Sequence, residues 1–323
     1  MTDVRPALPA RPRILVVGAG VLGTLYAARF ALAGFDVTVA ERSPERSRQV
    51  RDEGLVIEQI SDGARQVARV EVIDEISPDS DHDIAIVIAR KTHLASILDT
   101  LTGTRIPHLL FMMSNAGGPQ QLLDAVGERA ILGFPGAGGS RDGSLVRYSI
   151  PPAFMQKTML AETDDSRTER LTTLHALFAS AGFATETPKS MDGWMKSHEA
   201  FVASIGNATY AAGGDGAALA SDRDLLALNV RAIREVHRAL DASGTPVTPS
   251  WFRSWDRLPL WFILATYGRF VGSDAWKLGT DQLLSMRDEV EVITQELLEF
   301  ASGAGVDAVA LRTLADRRDH AAT

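Results

Sequence analysis

The sequence predicts a doubly wound α/β sheet followed by an all-helical C-terminal domain. Three observations predict it. A short β-branched strand runs directly into a glycine-rich turn. Strand and helix patterns then alternate as far as Thr187. From Met191 onward the patterns are helical, with no convincing strand. A chain of 323 residues is long enough for two domains. The break falls at Pro188-Lys189-Ser190, giving domains 1–188 and 189–323.

Each element has its own signal. Residues 1–12 hold three prolines and no periodicity, and read as a loose arm. Ile14-Leu15-Val16-Val17 is a buried parallel strand, and Thr24–Ala33 a helix closed by Gly34. Asp36–Ala40 is the second strand, and Ser43-Pro44 an N-cap and first-turn pair. Leu55–Ile60 and Gln66–Ile73, separated by Ser61-Asp62-Gly63, suggest a hairpin. Strands follow at Ile84–Ile88, His108–Met113 and Ala130–Phe134, with helices at Thr92–Leu101 and Pro119–Val126 between them. Leu145–Ile150 and Lys157–Ala161 look like antiparallel strands. Ser166–Ala181 is a helix and Phe183–Thr187 a last strand. In the second domain Trp194–Ala212, Arg223–Ala242, Pro259–Phe270 and Gln282–Ser302 read as helices, with Asp222 in an N-cap sequence.

Composition excludes several classes of function. The sequence has no cysteine, so disulfides, thiolate metal sites and a cysteine nucleophile are out. The seven histidines are scattered without metal-ligand spacing. A formal net charge of -8 argues against nucleic acid as the main partner. No apolar run reaches membrane-span length, and the N-terminus lacks the apolar core of a signal peptide. A cytoplasmic address, with no membrane partner, is the expectation. Apolar faces in the helical domain permit a homodimer.

The chemistry begins at Gly18-Ala19-Gly20-Val21-Leu22-Gly23. GxGxxG carries weight here because it follows a strand, opens a helix, and is followed by an acid, Glu41, at the end of the second strand. Gly18 permits the tight turn, Gly20 the approach of a pyrophosphate, and Gly23 close packing of helix on strand. The helix N-terminus presents N–H groups to phosphate. This is a Rossmann-type dinucleotide signature, and nicotinamide fits better than flavin, for which no further nucleotide signature is found. An acid in the place of Glu41 favours NAD, whereas Arg42 suits the 2′-phosphate of NADP.

These residues, together with motifs further along the chain, resemble the ketopantoate reductase family. The similarity runs from Ile14 to about Val306. Arg42 falls where the family holds the NADP phosphate, so the resemblance implies NADP, with NAD the alternative. Arg90-Lys91 follows a strand where members carry a lysine near the cofactor. Ser114-Asn115-Ala116-Gly117-Gly118 looks like a family turn that puts Asn115 beside the nicotinamide. Gly193-Trp194-Met195-Lys196 looks like the W-x-K motif and implies Lys196 as general acid. Met286-Arg287-Asp288-Glu289-Val290-Glu291 puts Glu289 on the substrate-binding glutamate. His198, about 200° around the helix from Lys196, reads as structural.

The sequence also departs from the family. Ala200 and Ser204 stand where members have asparagines, and Lys277 falls on a pocket serine. Ser204 and Lys277 are therefore the candidate substrate contacts in a pocket that departs from the family's. The resemblance implies NADPH-dependent reduction of a 2-oxoacid, 2-dehydropantoate or a related acid, to the 2-hydroxyacid, with the substrate in the cleft between the domains. Two alternatives stand beside it: an NAD-dependent opine- or hydroxyacid-type dehydrogenase, and a nicotinamide-binding sensor without turnover.

Overall fold

A computed structural model of the chain describes residues 5–273 and 283–320. The chain divides into two compact units: Met1–Met113 with Pro119–Met191, and Ser114–Gly118 with Asp192–Thr323.

The first unit is α/β. Its strands are β1 (Ile14–Val17), β2 (Val37–Ala40), β3 (Leu55–Gln59), β4 (Arg65–Ala68), β5 (Glu71–Ile73), β6 (Ile84–Val87), β7 (His108–Met112), β8 (Ala130–Phe134), β9 (Gly138–Asp142), β10 (Leu145–Ser149), β11 (Thr158–Glu162) and β12 (Thr185–Glu186). Its helices are α1 (Val21–Leu32), α2 (Pro44–Glu53), α3 (Leu94–Thr102), α4 (Gln120–Val126) and α5 (Glu169–Ser180). The main sheet has the order β12-β11-β8-β7-β6-β1-β2-β5, and a smaller sheet has the order β4-β3-β10-β9. β1 pairs in parallel with β2 on one side and β6 on the other, so the chain winds outward from it in both directions. That reversal is where a doubly wound sheet opens a crevice at its strand ends, and the glycine turn leaves β1 there.

Two expectations change. The stretch 66–73 is two strands: β4 pairs antiparallel with β3, while β5 changes sheets to run parallel to β2. β10 and β11 are not partners. β10 lies between β3 and β9, and β11 runs antiparallel to β8 in the main sheet. Local alternation reports which residues alternate faces, but it does not report which sheet a strand joins.

Helix α1 is packed by strands of both sheets, which is why it is buried on most faces rather than one. Tyr26 stacks on Phe183 with ring centroids 4.2 Å apart. Its hydroxyl lies 2.9 Å from Thr158 Oγ1 and accepts from the Gly136 N–H at 3.2 Å. A buried ion pair ties α5 to β11. Arg170 donates to Glu162 through Nε at 2.8 Å and Nη2 at 2.5 Å, and both side chains are essentially inaccessible.

The second unit is helical among its described residues: α6 (Met191–Ala211), α7 (Gly216–Ser221), α8 (Arg223–Ala242), α9 (Ser254–Arg257), α10 (Leu260–Val271), α11 (Arg287–Gly303) and α12 (Val309–His320). Asp222 caps α8 as its sequence predicts, accepting from the Asp224 and Leu225 N–H groups at 3.0 Å each. Glu235, buried on α8, caps the start of α12 by accepting from the Ala310 and Leu311 N–H groups. Gly206 lets α6 and α11 approach, because a Cβ there would lie 3.0 Å from Val290. Asn207 crosses the same contact, donating to Thr294 Oγ1 at 2.8 Å and accepting from Arg318 at 3.2 Å.

The aromatic group of the second unit is not all core. Phe252 and Tyr267 are buried, but Trp251 and Trp261 are 62% and 67% exposed. No helix among the described residues is long and apolar enough to cross a membrane.

Arg170→Met would leave the Glu162 carboxylate buried without its main partner. The first unit should lose about 3–5 kcal/mol of stability, read as a lowered urea midpoint at unchanged slope.

Candidate active site

The glycine turn sits where its residue types require. Gly18 has φ +101, and a Cβ on it would lie 2.9 Å from the Ile88 carbonyl oxygen. A Cβ on Gly23 would lie 1.8 Å from the Gly18 carbonyl oxygen, so the helix closes on the turn with no room for a side chain. Gly20 differs. It is the N-cap of α1, its Cβ direction has nothing within 4 Å, and no side chain caps the helix. The open space over Gly20 and the uncapped N–H groups of α1 fit a pyrophosphate. Ala19, Val21 and Leu22 complete the turn.

Glu41 faces back toward this turn. Its Oε2 accepts from the Ala19 N–H at 2.9 Å and its Oε1 from the Ser43 N–H at 2.8 Å. Both bonds fix the carboxylate at the end of β2, in the place where a ribose hydroxyl would be recognised. Arg42 is exposed, and its Nη1 lies 3.4 Å from Ser96 Oγ. Arg46, which sequence reasoning passed over, braces the turn from beneath. It is buried and donates to the Ala19 carbonyl at 3.2 Å, Thr24 Oγ1 at 2.9 Å and Gln49 at 2.6 Å. Burial holds its guanidinium below the ordinary pKa. The charged helix around it, Pro44–Glu53, gave no signal, since an arginine among such residues looks solvated. Arg90 is exposed just beyond β6, while Lys91 is buried at the start of a 3-10 turn (Lys91–His93).

The second unit holds the other candidates. Lys196 is 5% exposed on α6. Its ammonium is ion-paired with Asp192, four residues earlier on the same face, and lies 4.9 Å from the centroid of the Phe300 ring. Asp192 stands in the first turn of α6, so the acid meets the positive helix end and the lysine is neutralised. The turn Ser114–Gly118 belongs to this unit, although it follows β7 in the chain. Asn115 Nδ2 donates to the Gly118 carbonyl at 2.8 Å and closes the turn. The Gly117 N–H donates to Glu296 Oε2 on α11 at 2.9 Å. Gly118 has φ +83, with its Cβ direction 3.1 Å from Asp192 Oδ1 and 3.5 Å from Lys196 Nζ. The turn that carries Asn115 thereby approaches Asp192 and Lys196 through Gly118.

Glu289, which the resemblance puts on the substrate, stands at the other end of the same helix from Phe300. It is buried on the first turn of α11, eleven residues before Phe300, or roughly 16 Å of helix. The carboxylate one turn from Phe300 is Glu296. The acidic run of α11 concealed it, because four-residue spacing to Phe300 has meaning only once Phe300 is known to touch Lys196. Ser204 lies two turns beyond Lys196, fully buried, and its Oγ has no hydrogen-bond partner among the described residues. The same holds for the Asn229 amide and the Tyr267 hydroxyl, which sequence reasoning did not single out. Burial pushes the Tyr267 phenol well above its ordinary pKa. Lys277 lies outside the described residues. His198 stacks on Trp194 at 5.0 Å, and burial lowers its imidazole to about 4.

The chain thus combines an α/β unit that carries a GxGxxG turn with a helical unit that carries a buried lysine. Residues 14–144 match the family model described as ketopantoate reductase PanE/ApbA. That segment, less than half of the chain, is similar to the family. Solved structures share the fold over nearly the whole length. The probable 2-dehydropantoate 2-reductase panE of Bacillus subtilis is 22% identical, with TM-score 0.71, covering 95% of this chain and 99% of that one. The 2-dehydropantoate 2-reductase of Geobacter metallireducens GS-15 is 17% identical, with TM-score 0.78 and coverage of 96% and 99%. A D-mandelate dehydrogenase, solved with NADH and anilino(oxo)acetate, is 12% identical, with TM-score 0.74 and coverage of 95% and 97%. No curated protein matches the sequence.

Gly23→Ala drives a methyl into the Gly18 carbonyl and must displace the turn. Nicotinamide dinucleotide affinity, followed by fluorescence titration, should fall at least about tenfold, equivalent to ~1.4 kcal/mol.

Proposed function

We propose that this protein reduces a 2-oxoacid, 2-dehydropantoate or a related acid, to the 2-hydroxyacid with NADPH. The observation that carries this reading is the buried Lys196 ammonium held between Asp192 and Phe300, beside the Asn115 turn. The similarity of residues 14–144 to the ketopantoate reductase model supports it, as do structural neighbours named as 2-dehydropantoate 2-reductases and as a D-mandelate dehydrogenase.

Bound at the glycine turn, the dinucleotide supplies the hydride. The chain supplies the rest. Gly20 and the first N–H groups of α1 would hold its pyrophosphate, and Arg42 would pair with its 2′-phosphate. Lys196 Nζ donates a hydrogen bond to the substrate carbonyl oxygen, stabilises the alkoxide as charge develops, and transfers its proton to that oxygen. Asn115 orients the nicotinamide side, and Glu296 fixes the turn that carries Asn115. Ser204 binds substrate through a hydroxyl that has no hydrogen-bond partner among the described residues, and the resemblance adds Glu289 and Lys277.

One observation favours a second reading. Glu41, held by two backbone N–H groups, puts a fixed carboxylate where a 2′-phosphate would sit and suits a ribose hydroxyl instead. That is the arrangement of an NADH-dependent hydroxyacid dehydrogenase.

Lys196→Ala should lower turnover by about 10²–10⁴-fold, with cofactor affinity unchanged. The assay is absorbance of the reduced nicotinamide, with 2-dehydropantoate, pyruvate and phenylglyoxylate as substrates. Retained turnover in the variant would remove the mechanism. Binding of cofactor without oxidation by any 2-oxoacid would remove the enzyme reading.

Cofactor choice has its own test. If Arg42 holds a 2′-phosphate, Arg42→Ala should cut kcat/KM for NADPH by about tenfold, or ~1.4 kcal/mol, and leave NADH unaffected. A native preference for NADH that Glu41→Ser weakens would establish the second reading.

A further inference from the structure

We propose that Asp192 is a positioning residue that aims Lys196 and joins it to the Asn115 turn. The inference rests on the reading of Lys196 as the proton donor. Lysine has a long, rotatable stem and a compact charge, so its burial alone gives no direction to Nζ. Three things give it direction here. Asp192 Oδ1 accepts from Nζ on one side. The Phe300 ring lies 4.9 Å away on another. Gly118 approaches on a third, its Cβ direction 3.5 Å from Nζ. An ammonium has three N–H donors, and this arrangement commits one of them to Asp192.

The same carboxylate oxygen sets how close the turn can come. It lies 3.1 Å from the Cβ direction of Gly118, whose φ of +83 already favours glycine. The turn is held by its own Asn115–Gly118 bond and by the Gly117–Glu296 bond. Asp192 therefore contacts both parts of the constellation at one atom. Its side chain is 31% exposed and Lys196's is 6% exposed, so the acid forms the edge of the site rather than its floor. In the reduction Asp192 transfers nothing. It holds the ammonium while the proton moves from Nζ to the alkoxide oxygen.

The test compares Asp192→Asn, Asp192→Glu and Gly118→Ala with the native chain, using the 2-oxoacid that turns over fastest. Asp192→Asn keeps the shape and removes the charge. It should lower kcat by about 10–100-fold, the scale of a misplaced catalytic group, with KM for the cofactor unchanged. Asp192→Glu restores a carboxylate in a favourable i,i+4 relation to Lys196 and should recover most of kcat. Gly118→Ala leaves every charge in place and should lower kcat by crowding Oδ1 and Nζ. If Asp192→Asn keeps kcat within twofold while Lys196→Ala abolishes turnover, the inference fails and the proposed function stands. If Lys196→Ala keeps turnover, the proposed function fails with it. Equal losses in Asp192→Asn and Asp192→Glu, with lowered melting temperatures in both, would mark Asp192 as merely structural and overturn the inference.

Discussion

A lysine ammonium taken out of water is costly unless a carboxylate meets it and its remaining protons have partners. That constraint organises the second unit. Lys196 is on the first turns of α6, its acid is one turn behind it, and its ring contact comes from the far end of α11. Satisfying the ammonium therefore requires α6 and α11 to run against each other in one register. Gly206 beneath Val290 and Asn207 against Thr294 set that register further along. The Ser114–Gly118 turn then approaches Asp192 and Lys196 through a glycine at its last position.

The first unit depends on a different kind of tolerance, which is empty volume. Its turn excludes side chains at Gly18 and Gly23 but leaves Gly20 open. Arg46 and Glu41 then brace the two sides of Ala19, one on the carbonyl and one on the N–H. A backbone whose own polar groups are already bonded needs little rearrangement when an anion arrives, and such preorganisation reduces the cost of binding. Glu41 is thus both a structural brace and the group that a second phosphate would have to face.

The sequence disclosed the parts of the fold that depend on local pattern. The strand into Gly18, the cap at Asp222 and the long helix from Arg223 to Ala242 are visible because burial and capping act over a few residues. Pairings that span the chain were not visible. The split at Arg69-Val70 depends on which sheet has a free edge, and α12 was missed because its cap, Glu235, is 75 residues away. The site shows the same division. Lys196 and Asn115 came from motifs, whereas Glu296 and Asp192 acquire meaning only from α11 and the turn packing on α6.

The cap that Glu235 places on α12 makes the last helix a lid over a charge. Its carboxylate is buried on α8 and receives its hydrogen bonds from the Ala310 and Leu311 N–H groups. Arg318, in the same helix, reaches Asn207 on α6. Shortening the protein before Val309 would therefore do more than trim an end. It would strand an anion in the apolar centre of the helical unit and free the amide that α6 shares with α11. Any truncated variant made for crystallisation or tagging would then report on a loosened α6, not on the native one.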